Sequence, residues 1–210
     1  MTRSALPGFA IALIVLLAGL ALAFTLGRYP IGLGDVLDVL AAKLTGRAPS
    51  VPGAVENVIL QVRGPRVIAA LLVGGALAVA GTAFQGLFRN PLVSPDILGA
   101  SSGAALGVPT GPLRIAIVAA ATLVTSASVA AAGIIGWVGL IVPHLARALV
   151  GPDFARLLPA SAMLGAGYLL LIDTIARTAA SIEIPLGILT AVIGTPFFIW
   201  LLAGMQKTWS

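Results

Sequence analysis

Residues 8–26 run nineteen positions without a charge. A helix rises 1.5 Å per residue, so a run of this length reaches across a hydrocarbon core of roughly 30 Å. Four more apolar stretches follow: residues 67–87, broken only by Thr82 and Gln85, then 113–135, 160–176 and 185–203. The pattern predicts an all-α, polytopic transmembrane helical bundle with about five full spans plus short interfacial or re-entrant segments. One alternative for the first run is a secretory signal, because Ala21-Leu22-Ala23 resembles a cleavage site. Its leading segment carries only Arg3, however, and further spans follow.

Composition enters here as a test of the bilayer reading. Only 9% of residues are charged and 59% are hydrophobic, whereas soluble domains carry about a quarter charged. A formal charge of +5 raises the question of nucleic acid. The basic residues are scattered, without a cluster or interleaved aromatics, so no nucleic-acid partner is expected. They read better as positive flanks of spanning helices, with membrane lipid as the surrounding partner.

The residue types also limit the chemistry. With no Cys and a single His, disulfides, thiol catalysis and multi-histidine metal sites are excluded. No Gly-x-x-x-x-Gly-Lys-Ser/Thr motif occurs, and the only lysines are Lys43 and Lys207. The chain therefore has no phosphate-binding loop for ATP. No catalytic residue, cofactor or metal ligand is expected. His144, after Pro143, reads as a structural histidine in a loop rather than a catalytic group.

Residues 28–66 are polar for this chain, with five basic and three acidic residues. Within them Leu33, Val36, Leu37, Leu40 and Leu44 recur at helical spacing, with Asp35, Asp38 and Lys43 between. That is the pattern of an amphipathic helix lying on the membrane face. Residues 48–53 and 88–95 read as loops, and Pro143, Pro152 and Pro159 divide residues 136–159. Residues 97–107 are apolar but too short to cross. Gly99, Gly103 and Gly107 stand four apart, either a close-packing helix face or the ordinary glycine content of membrane helices. Asp173 and Arg177, also four apart, fit an intrahelical ion pair or part of a docking surface.

Orientation follows from the basic residues. With both termini cytoplasmic, Arg3, Arg89, Arg114, Arg147, Arg156 and Lys207 all face the cytoplasm, as the positive-inside rule asks. Residues 28–66 then lie outside, with their five basic residues against that rule.

Several motifs together carry a family resemblance. The first are Gln61-Val62-Arg63-Gly64-Pro65-Arg66, Gly81-Thr82-Ala83-Phe84-Gln85-Gly86 and Phe88-Arg89-Asn90-Pro91-Leu92. Ser94-Pro95-Asp96-Ile97-Leu98-Gly99 and Ser102-Gly103-Ala104 continue them. Downstream stand Gly133-Ile134-Ile135-Gly136-Trp137-Val138-Gly139 and Leu140-Ile141-Val142-Pro143-His144-Leu145-Ala146-Arg147. Gly151-Pro152-Asp153, Leu157-Leu158-Pro159, Asp173-Thr174-Ile175-Ala176-Arg177 and Glu183-Ile184-Pro185-Leu186-Gly187 complete the set. From Gly32 onward the chain resembles the permeases of ATP-driven importers for iron siderophores, haem and cobalamin.

That resemblance implies a homodimeric permease in the cell's inner membrane, with about ten helices per subunit. ABC ATPase subunits would bind its cytoplasmic face, and a periplasmic or lipoprotein substrate-binding protein would deliver the chelate outside. Arg63, Arg66 and Arg177 would be outward-facing arginines that receive glutamates of the binding protein. The resemblance also breaks. Residues 1–107 resemble the family's N-terminal part and residues 108–210 its C-terminal part, joined as one permease-type domain with the middle missing at Gly107/Val108. The missing portion would hold most of the third helix, helices four to six and most of the ATPase-coupling loop. Residues 97–107 must then begin and end on one side, as an interfacial or re-entrant piece. Three readings follow: a permease subunit, a transport-incompetent remnant of one, or an unrelated membrane enzyme or scaffold.

Overall fold

The computed structural model describes residues 5–87 and 110–206, and these are helical or connecting loop, with no strand among them. Helix α1 is Leu6–Thr25, and α2 is Leu33–Thr45. Helix α3, Gly53–Asn57, passes through a π turn, Val58–Arg63, directly into α4, Gly64–Leu87. Then come α5, Thr110–Ala132, α6, Val138–Val150, α7, Phe154–Thr178, and α8, Leu186–Gln206. Four helical stretches are long and apolar enough to cross a bilayer: Leu6–Thr25, Gly53–Gly86, Ile115–Ala132 and Phe154–Thr178. Val138–Val150 and Leu186–Leu201 are shorter apolar helical stretches. The protein is a multi-pass membrane helical bundle.

Helices α4 and α7 form the centre. They run antiparallel, because Arg66 meets Asp173 at one end and Gly74 meets Gly165 further along. Helix α1 runs parallel to α7, with Gly19 against the Gly167 carbonyl and Ala23 and Leu26 against Arg177. One end of the bundle therefore gathers the C-termini of α1 and α7 and the N-terminus of α4. The opposite end gathers the N-terminus of α1, the end of α4 and the turn around Gly151.

Small residues set these approaches. The buried face of α1 consists of Gly8, Ala12, Gly19 and Ala23, while Ile11, Leu13, Ile14 and Leu17 are exposed. In lipid this is the expected polarity. Apolar side chains gain nothing by leaving the tails, so contact goes to small residues that admit a neighbouring backbone. Gly81 lies against the backbone of Gly139 in the same way, bringing α6 onto α4.

Two expectations are corrected here. Pro143 and Pro159 divide no helix: both lie inside helices, α6 and α7. His144 is accordingly helical rather than in a loop, with its ring edge-on to Phe197 at 5.6 Å. Membrane helices tolerate proline where neighbours supply the lost backbone partner, and for Pro143 the partner is visible. Its missing N–H would have served the carbonyl of Gly139, four residues back. The Gln85 amide of α4 donates to that carbonyl at 3.1 Å, and Arg147 donates to the Gln85 side-chain oxygen. Residues 97–107, with the Gly99, Gly103, Gly107 series, lie outside the described residues.

Candidate functional site: an arginine cluster at one end of the bundle

Helix α1 ends with no basic residue of its own in the last turn. Its last carbonyls lack helical donors and carry the negative end of the helix dipole. Two guanidinium groups from elsewhere in the chain supply that need. Arg63, in the π turn, donates to the carbonyls of Phe24 and Tyr29. Arg177, near the end of α7, donates to the Ala23 carbonyl at 3.1 Å and to Leu26 at 3.3 Å. Arg63 is 5% exposed, so its charge is spent inside the protein.

Asp173 joins the other half of the cluster. Its two carboxylate oxygens accept from different arginines, Oδ1 from Arg66 Nε at 2.7 Å and Oδ2 from Arg177 Nε at 3.0 Å. Arg66 also donates from Nη1 to both oxygens of Glu183 at 3.1 Å. The intrahelical pair that the spacing of Asp173 and Arg177 suggested does form, but as one limb of a network. The Asp173 side chain is 4% exposed and that of Arg66 is 35% exposed. Arg28 adds a bond to the Ser181 carbonyl, tying the link after α1 to the link after α7.

The structure thus brings Arg63, Arg66 and Arg177 to one place. It gives them unequal roles. Arg63 and Arg177 hold the end of α1, and Arg66, with Glu183, reaches the surface. Sequence reasoning missed Asp173 as the hub and Glu183 as its rim partner. The signal was there in the acidic residue one helical turn before Arg177, and in the Glu just before the next helix.

Helix α2 covers the same end. The Gly32 N–H donates to Asp35 Oδ2 at 3.2 Å at the start of the helix, and Gly46 closes the helix at a left-handed φ of 72°. Asp38 receives Arg47 and the backbone N–H of Ser50, the latter at 2.7 Å. Those bonds, the Arg47 one foremost, hold its carboxyl below the ordinary aspartate range. Among the described residues no group of three or more His, Cys, Asp or Glu is placed to hold a metal.

The FecCD transport family model matches the chain twice, over residues 13–111 and 104–204. A molybdate import permease of Haemophilus influenzae is 27% identical over 299 aligned positions, covering 82% of this chain and 88% of the relative. Since 82% of 210 residues is about 172, about 127 of those 299 positions have no counterpart here. A cobalamin import permease of Halobacterium salinarum is 52% identical over 97 residues, 46% of this chain and 26% of the relative. A hemin transport permease of Yersinia pestis is 37% identical over 138 residues, 65% of this chain and 41% of the relative. This chain therefore spans well under half the length of these last two relatives. Among solved structures, a metal-chelate type ABC transporter in an inward-facing conformation has the same fold. Its TM-score is 0.75 at 24% identity, covering 93% of this chain and 98% of that one. The paired family matches take in nearly the whole sequence, and the chain belongs to the FecCD transport family.

Proposed function

We propose that this chain is the membrane permease subunit of a binding-protein-dependent ABC importer for an iron siderophore, haem, cobalamin or a related metal chelate. The observation that carries the reading is family membership over 13–204 in a bundle that keeps its arginine end intact. ATP hydrolysis belongs to a separate ATPase subunit. Transport proceeds by alternating access between two copies in the inner membrane, with both termini cytoplasmic and the arginine end outside. The binding protein docks at that outer end. Arg66 is its exposed cation, and Arg63 and Arg177 stiffen the surface from behind. Charge pairs at such a rim steer and orient a partner more than they add affinity.

A specific observation favours a second reading, a remnant that docks without pumping. The two family matches meet at residues 104–111, which supports a lost middle at Gly107/Val108. A permease without its coupling loop has nothing through which ATPase closure is felt. Expressed as written in a strain lacking its own permease, the chain is expected to give no chelate uptake above the empty-vector level. Restored uptake would return the first reading in full. Docking is tested separately, by capture of a purified binding protein on the reconstituted chain. Arg66→Glu is expected to weaken capture and flatten its salt dependence. Unchanged capture and salt response would remove Arg66 from the docking surface.

A further inference from the structure

We propose that the outer end of the bundle holds an ordered phospholipid acyl chain in a groove between α1, α2 and α4. The groove has a volume of about 380 Å³ and is lined by Leu20 and Phe24 of α1, Leu40 of α2, Leu60 of the π turn, and Ile68 and Leu71 of α4. No lining side chain offers a hydrogen bond. The size is that of a small-ligand site, and the lining accepts only hydrocarbon.

Local structure explains why the groove is there. Pro65 has no N–H and cannot continue the helical ladder behind it. The chain answers with the π turn, in which the Gly64 N–H reaches the Ile59 carbonyl five residues back. The widened turn and the absent side chain at Gly64 leave a hollow where a regular α-helix would present a filled face. π turns of this kind recur at functional sites.

Helix α2 forms the outer wall. Its Val36 and Val39 pack on Ile31, Val55 and Ile59 of the chain itself, and Ala42 is buried as well. A second stripe, Leu33, Leu37, Leu40 and Leu44, is exposed, from 39% at Leu40 to 89% at Leu44. The two stripes adjoin at 100° per residue, so the helix has one wide apolar arc of which half is free. Asp38 lies on the other side, and Asp35, in the first turn, accepts from the Gly32 N–H.

Lipid is the occupant that continuity selects. Two walls, α1 and α4, belong to membrane-spanning stretches. The groove opens past Ile68, 56% exposed, toward Leu72, 68% exposed, on the outward face of α4. Lipid tails against that face reach the groove without crossing any polar surface. The site also touches the arginine cluster. Phe24 lines the groove, and its carbonyl accepts from Arg63. A chain held there braces the end of α1 and the cover helix α2 together.

The test uses the full chain in phosphatidylglycerol vesicles containing phosphatidylcholine with a diazirine on one acyl chain. After photolysis, adducts are mapped by mass spectrometry. Labelling of Phe24, Leu40 and Ile68 is expected to exceed that of Leu72 severalfold. Leu40→Trp, which fills the mouth from a peripheral helix, is expected to reduce groove labelling to the Leu72 level and leave Leu72 unchanged. Leu40→Ala, which leaves the mouth open, retains the excess and controls for folding. Labelling equal to Leu72 in the native chain would overturn the proposal, as would labelling insensitive to Leu40→Trp. Groove labelling that falls as the protein-to-lipid ratio is raised, with Leu72 labelling unchanged, would assign the groove to a second copy and overturn it too.

Discussion

Asp173→Ala is expected to lower the unfolding free energy in detergent by about 3 kcal/mol or more, the usual cost of removing one partner from a buried ion pair. The reason is the number of charges that depend on it. Asp173 accepts from both Arg66 and Arg177 and is 4% exposed at its side chain. Without it, Arg177 stays 11% exposed, facing only carbonyls and hydroxyls, with Arg63 close behind. That is a local excess of positive charge in a medium that screens poorly. Asp173→Asn keeps a hydrogen-bonding oxygen and loses the charge, so it falls between alanine and the native chain. Arg66→Gln should cost far less, because Arg66 is a third exposed and its other partner, Glu183, is at the rim. Exposed pairs are worth about 1 kcal/mol at most. The measurement is denaturant or thermal unfolding of purified variants in one detergent. A loss for Asp173→Ala no larger than that for Arg66→Gln would show that water reaches the cluster and that Asp173 is not its hub.

The spans were legible in the sequence because the bilayer filters residue types so strongly. Residues 8–26 correspond to Leu6–Thr25, and the predicted interfacial helix to Leu33–Thr45. Proline misled the reading in the second half, where Pro143, taken as punctuation, hid α6. In the first half the expected span begins at residue 67, after Arg66, and misses the continuous run from Gly53 to Leu87 through Pro65. In each case the helix survives by a device that single-chain spacing does not reveal: a π turn before Pro65, and the Gln85 amide, 58 positions before Pro143, on the Gly139 carbonyl. The arginines were legible as a set through their motifs. Their division of labour was not, since what buries Arg63 and Arg177 is a row of backbone carbonyls at the end of α1, which every sequence has and none advertises. The packing faces were hidden for a related reason. A search for hydrophobic periodicity follows the large residues, and on α1 those are the ones turned to the lipid.

The close approach of α4 and α7 leads to the second large effect. Gly74 and Gly165 each leave room for the other's backbone, and a Cβ on either would fall inside the partner's carbonyl. Backbone cannot swing aside as a side chain can, so Gly74→Leu or Gly165→Leu must push the helices apart. Overpacking ordinarily costs 1–3 kcal/mol, and here a cost of about 3 kcal/mol or more is expected because the obstacle is main chain on both sides. The damage does not stay local. Arg66 and Asp173 lie eight residues along their helices from Gly74 and Gly165, about 12 Å at 1.5 Å per residue, and they meet at 2.7 Å. Splaying the crossing draws that bond open, so Gly165→Leu should also loosen the arginine end, read as faster hydrogen exchange of the residues after α1. Gly75 is the control. A Cβ there meets only the Ala162 carbonyl at 3.4 Å, an ordinary contact, and alanine is favoured over glycine inside a helix by about 1 kcal/mol. Gly75→Ala is therefore expected to be neutral or stabilising, while its neighbour Gly74→Leu is among the worst changes in the bundle. Equal melting temperatures for the two variants would mean that α4 and α7 do not touch through glycine, and the antiparallel core would have to be rebuilt.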